Sequence, residues 1–190
     1  MWTEKELEDY LKKNLTIKRY EHSLAVRDSA VLLAKKYKVD EDKARLAGLI
    51  HDCAKDLKDE EILNLARGQG FEISEVCYKS PQILHGLVGA IVAKDIFKVT
   101  DDEILNAITY HTTGRGNMTS LEKIIYLADF IEPNRNFPGV EVLRDLAFKD
   151  LEKALFLAFD NTINFVILKG ELLHPDTVIA RNDIILRNNF

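Results

Sequence analysis

Apolar positions recur every three or four residues along almost the whole chain, and no stretch alternates singly as a half-buried strand would. The elements this spacing predicts are all helices. Thr3 and Glu6 stand at capping-box spacing and Trp2 and Leu7 at staple spacing, so a first helix runs to about Asn14. A second spans roughly Lys18 to Tyr37, with His22, Ala25, Val26, Ser29, Leu32 and Leu33 on one stripe. Asp40 caps a third, whose buried middle carries His51 and Asp52 inside the run Ala47-Gly48-Leu49-Ile50-His51-Asp52-Cys53-Ala54. Asp59 caps a short fourth that ends near Gly68, and a brief turn lies within Phe71 to Lys79. Ser80-Pro81 starts a helix to about Phe97, with His85, Val88, Val92 and Ile96 aligned and several glycines and alanines that let neighbours come close. Thr100 and Glu103 open the next, on which Ile104, Ile108 and His111 share a face. Thr119 and Glu122 open another, carrying Leu121, Ile125, Ala128 and Asp129 and stopped by Pro133. Helices near Val140–Phe148 and Asp150–Lys169 follow, and a last one begins at Asp176. With no repeat and no low-complexity linker, the expectation is an all-α fold in a single domain over 1–190, with a motif-bearing core at about 19–135 and helices at about 140–188 completing its pocket.

Composition narrows the class without changing it. A chain of 190 residues with 46% apolar and 30% charged residues is that of a globular domain. The net charge of −5 argues against a nucleic-acid partner or an anionic membrane surface. No apolar run reaches the ~18 residues of a membrane span, and the first residues are too charged for a signal peptide. Two cysteines, Cys53 in an apolar run, fit a reducing cytoplasm and no disulfide framework.

The histidines change the picture. His22, His51, His85 and His111 lie on four separate predicted helices, each on an apolar face, and Asp52 and Asp129 also sit in apolar runs. A lone histidine in such a place is most often a hydrogen-bonded core residue. Six imidazole and carboxylate donors in one chain point instead to one or two divalent ions such as iron, manganese, zinc or cobalt. Their lack of thiolates disfavours a structural zinc site. His51 and Asp52 point about 100° apart if helical, so other helices must complete the shell.

The ordered set His22, His51-Asp52, Asp129, with His85 and His111 besides, resembles the HD superfamily of metal-dependent phosphohydrolases. The flanks Arg19-Tyr20-Glu21-His22-Ser23, Gly48-Leu49-Ile50-His51-Asp52-Cys53-Ala54-Lys55-Asp56, Leu84-His85-Gly86, His111-Thr112-Thr113-Gly114 and Tyr126-Leu127-Ala128-Asp129-Phe130-Ile131-Glu132-Pro133-Asn134-Arg135 look like its YqeK-type branch, the symmetrical diadenosine tetraphosphate hydrolases. The resemblance implies an HD-type multi-helix bundle, a metal (iron, with manganese or cobalt as substitutes) on His22, His51, Asp52 and Asp129, and a small nucleotide substrate cleaved to two ADP. His85 and His111 either take a second metal with Asp52 bridging, or stay free and contact phosphate, with the balance slightly toward the latter. Lys55 reaches the mouth of the site or makes an ordinary salt bridge to Asp52 or Asp56. Thr112 meets an anion or caps a turn, and Arg115 is solvated. Arg19, Asp56, Arg135, His174 and Thr177 belong to the implied substrate contacts; His174, in a loop before Pro175, is excluded as a metal ligand. A homodimer is left open. Another HD-type nucleotide phosphohydrolase, or a nucleotide sensor without turnover, is the alternative.

Overall fold

The computed structural model describes residues 1–188, so the far end of the expected 1–190 span lies outside the described residues. Among these there are eleven α-helices and no strand: α1 Glu4–Asn14, α2 Ile17–Tyr37, α3 Glu41–Ile50, α4 Asp59–Gly68, α5 Glu75–Lys79, α6 His85–Asp95, α7 Asp102–Tyr110, α8 Ser120–Ile131, α9 Val140–Ala147, α10 Leu151–Lys169 and α11 Pro175–Arg187. A 3-10 turn, Pro81–Leu84, leads into α6.

The expected caps explain most starts. Thr3 and Glu6 form a full capping box on α1, as do Thr119 and Glu122 on α8. Asp40 accepts from the amides of Asp42 and Lys43, and Asp150 from that of Lys153. Each such cap is worth about 1 kcal/mol. Trp2 goes beyond a local staple: its ring packs on Tyr10 and Phe97, tying the first helix to the end of α6.

Several boundaries move, each for a local reason. Asp101 rather than Thr100 caps α7, since its carboxylate reaches the amides of Glu103 and Ile104. Asp59 is the first residue of α4, not its cap. Ser80 makes no side-chain cap, and proline follows it into a 3-10 turn, so the helix proper starts at His85. Leu32 and Ile96 leave their expected stripes and stand exposed, at 58% and 39%. The largest change concerns His51 and Asp52. They lie not in the middle of a helix but at the C-terminal end of α3, in a series of turns through Asp56.

α2 packs along α3 and α8, α7 contacts α3, α6 and α8, and α10 lies against α8, α9 and α11. One apolar core runs through these helices, with a small second cluster of Ala54, Ile62, Ala66 and Val88 beneath α4 and α6. Two glycines permit the closest approaches. A Cβ on Gly48 would stand 2.9 Å from Arg27 Cα in α2, and one on Gly86 would stand 2.7 Å from Thr109 O and 2.9 Å from Ile108 O in α7. The second approach brings the start of α6 onto the end of α7, where the site lies. No helix among the described residues is long and apolar enough to cross a membrane.

Candidate metal centre

Four imidazoles meet in the interior. His22 comes from the first half of α2, His51 from the end of α3, His85 from the start of α6 and His111 from the end of α7. All are buried, and successive rings from His22 to His51, His111 and His85 meet edge to face at centroid distances of 5.3, 4.9 and 4.9 Å.

The Nδ1 atoms are all spoken for. His51 Nδ1 lies 2.7 Å from Gly48 O, His111 Nδ1 2.7 Å from Ile108 O, and His85 Nδ1 2.5 Å from Gln82 O. A carbonyl oxygen only accepts, so each Nδ1 carries a proton, and each Nε2 is left to hold a cation or a second proton. His22 Nδ1 lies 3.0 Å from Glu132 Oε1, with the same consequence.

The Nε2 atoms converge on two carboxylates. His85 and His111 Nε2 stand 3.1 and 3.4 Å from Asp52 Oδ1, and 3.0 Å from each other. His51 and His22 Nε2 stand 3.5 and 3.7 Å from Asp52 Oδ2. Asp129 Oδ1 is 3.0 Å from His22 Nε2. Nε2 of both His22 and His51 is buried without a hydrogen-bond partner. Buried lone pairs facing carboxylate oxygens are costly unless a cation lies among them. Donor atoms of His22, His51 and Asp129 lie within 4.8 Å of one another, as do those of His51, Asp52 and His111, so the nitrogen and oxygen set fits a divalent metal.

Cations ring the cluster. Arg19 Nη1 donates to Asp52 Oδ2 at 2.7 Å, and Arg135 donates to the Asp129 carboxylate and, at 2.7 Å, to its backbone oxygen. Lys55 Nζ lies 3.3 Å from His85 Nδ1, neither on Asp52 nor on Asp56. Three acids, Asp52, Asp129 and Glu132, thus face three bases, Arg19, Lys55 and Arg135. Burial would raise the pKa of Asp52, but His51, His111 and His85 around it hold it well below the usual carboxylate range. Asp129 is likewise held low against burial by His22 and Arg135. Burial lowers the pKa of His85 and of Lys55, in both cases against the pull of Asp52.

The remaining expected contacts divide. Thr112 joins the cluster, its hydroxyl 3.2 Å from His85 Nε2 and 3.4 Å from His111 Nε2. The carboxylate of Asp56 instead accepts from the Thr16 amide at 2.7 Å, at the start of α2. His174 caps α11, its Nδ1 accepting from Asp176 N at 3.3 Å, and Thr177 is buried one turn on. No hydrogen bond or ion pair among the described residues joins these three to the histidines. Arg115 is only partly exposed and does more than meet solvent: it pairs with the fully buried Glu122 at 2.6 and 2.9 Å and lies over Tyr110. Glu132 was missed as a participant. The signal was there, an acid between Ile131 and Pro133 at the end of an apolar helix.

The model of the HD domain matches residues 19–134. The symmetrical bis(5'-nucleosyl)-tetraphosphatase of Halalkalibacterium halodurans is 41% identical over 93% of this chain and 94% of its own length. The enzyme of the same name from Bacillus subtilis is 39% identical over 92% and 94%. A crystal structure from Clostridium acetobutylicum, described as that of a predicted HD superfamily hydrolase involved in NAD metabolism, superposes with a TM-score of 0.97 at 52% identity, covering 99% of this chain and all of that one. The chain therefore belongs to the HD-domain family, in its YqeK-type branch.

Proposed function

We propose that this protein hydrolyses diadenosine tetraphosphate symmetrically, giving two ADP. The observation that carries the chemistry is the convergence of four Nε2 lone pairs on Asp52 and Asp129, two of them buried without a partner. The substrate rests on near full-length similarity to the two tetraphosphatases.

His22, His51, Asp52 and Asp129 would hold a divalent metal, with iron the choice that the family resemblance favours. When bound, such an ion lowers the pKa of a coordinated water and neutralises phosphate oxygens. The chain supplies the rest. Arg19 and Arg135, with side chains 27% and 38% exposed, stand where they can turn from the carboxylates to a phosphate chain. Lys55 and the Thr112 hydroxyl face His85 and His111 on the other side. Together they can grip one nucleoside diphosphate half and present its distal phosphorus for attack, so that the other ADP leaves. The helices at about 140–188 complete the pocket, with His174 and Thr177 at its edge.

A second reading adds a metal on His85 and His111 with Asp52 bridging. One observation favours it: Oδ1 of Asp52 faces His85 and His111 while Oδ2 faces His22 and His51.

The test is to incubate the purified protein with diadenosine tetraphosphate, a nucleotide panel and iron, manganese or cobalt, and to separate the products. ADP alone from diadenosine tetraphosphate is expected. ATP plus AMP would mean attack on the wrong phosphorus. Tight ADP binding without cleavage under any metal would make the protein a nucleotide sensor.

A further inference from the structure

Three of the four imidazoles are oriented by their own chain, and the fourth is not. His51, His85 and His111 stand at helix ends, and each donates its Nδ1 proton to the carbonyl three residues back. For His51 and His111 that carbonyl lies in the last turn of α3 and α7, where the ladder runs out of amides; for His85 it is Gln82 in the 3-10 turn before α6, which also takes the His85 backbone N–H. His22 lies inside the 21-residue α2, where the carbonyls behind it are taken by the ladder. Its acceptor is a side chain from elsewhere in the fold. It comes from Glu132, 110 positions away, whose Oε1 lies 3.0 Å from His22 Nδ1.

Glu132 is placed with care. It follows α8 directly, three residues after Asp129, and is 2% exposed. Its Oε2 accepts from the Asn134 amide at 2.6 Å. Arg144 of α9 holds the same turn by donating to the backbone oxygens of Ile131, Glu132 and Arg135 at 2.8 to 2.9 Å. A buried carboxylate held in this way is a stronger acceptor than a backbone oxygen. It adds a negative charge next to the imidazole, which favours a cation on Nε2.

We propose that Glu132 is a positioning residue of the metal centre: it fixes the His22 tautomer that leaves Nε2 free, and its charge sets how tightly that nitrogen holds a cation. The inference rests on the metallohydrolase reading above. It separates His22 from the other three imidazoles, whose orientation needs no side chain.

The experiment uses full-length protein stripped of metal, with Glu132→Gln and Glu132→Leu beside the wild type. Cobalt(II) affinity is measured by competition with a chromophoric chelator, and the visible spectrum of the cobalt(II) form is recorded. Glu132→Gln keeps one acceptor but loses the charge, and should bind cobalt about tenfold more weakly with shifted bands; Glu132→Leu should lose about a hundredfold. Helical content of both metal-free variants should match the wild type. Wild-type affinity and bands in Glu132→Gln would overturn the proposal while leaving the metal site intact. Loss of helical content in metal-free Glu132→Gln would also overturn it, by showing Glu132 to be a structural anchor of the turn. If Glu132→Leu alone fails to fold, Glu132→Gln decides. A wild type that binds no ion would sink the metallohydrolase reading itself, and this inference with it.

Discussion

Asp52 is the residue on which the site turns, because its two oxygens face all four imidazoles. Asp52→Ala should abolish turnover, read as the absence of ADP when products are separated by ion exchange. His85 and His111 sit on the side of Asp52 away from His22. Replacing either with glutamine should cut the rate at least tenfold, about 1.4 kcal/mol of barrier, with helical content by circular dichroism unchanged. Wild-type rates would make them ordinary core histidines. A metal count that falls from two per chain to one would support a bridging Asp52, and a steady count of one would support phosphate contact. Arg115 makes a purely structural prediction. Its loss would leave the buried Glu122 charge with no cation beside it, so Arg115→Ala should cost about 3 kcal/mol in a denaturant titration, the low end of the range because Arg115 is itself partly exposed.

Helix ends, more than helix faces, build this site. His51 and His111 end their helices and His85 begins one, so small shifts in how α3, α6 and α7 meet move the donors directly. Gly86 is the clearest case, since it lets α6 touch the last carbonyls of α7. Gly86→Ala places a methyl inside contact distance of two backbone oxygens that cannot move away. It should cost about 1–3 kcal/mol in the urea midpoint. It should also lower activity by more than that loss explains, because His85 is pushed off His111. Equal activity with unchanged stability would show that the two helices slide freely. Here the limits of sequence reading are physical. Periodicity and caps locate helices, and they located all four histidines on apolar faces. They do not say that α3 ends at Ile50, because the apolar run continues through Ala54 while the backbone turns. They also do not pair residues across the fold. Arg115 with Glu122 lies only seven positions apart, yet the loop between them hides it; Glu132 with His22 spans more than half the chain.

For the molecule as a whole, the donors run from His22 to Asp129 and come from five helices and the turns that end two of them, so no such site exists in the unfolded chain. A metal that binds only the folded form adds its binding energy to stability. At a hundredfold excess over its dissociation constant this is about 2.7 kcal/mol. For a chain of this size that is roughly 5–10 °C of melting temperature, which chelation should remove and added metal restore in a thermal scan. An unchanged midpoint after verified stripping would mean that the ion contributes nothing to the fold. The three acids and three bases around the cluster have a further consequence, for the order of events in turnover. Their formal charges balance, and a bound dication tips the site positive. Nucleotide and metal should therefore strengthen one another, and by thermodynamic reciprocity each by the same factor. The resting enzyme then gives up its ion to a chelator more readily than the enzyme saturated with ADP.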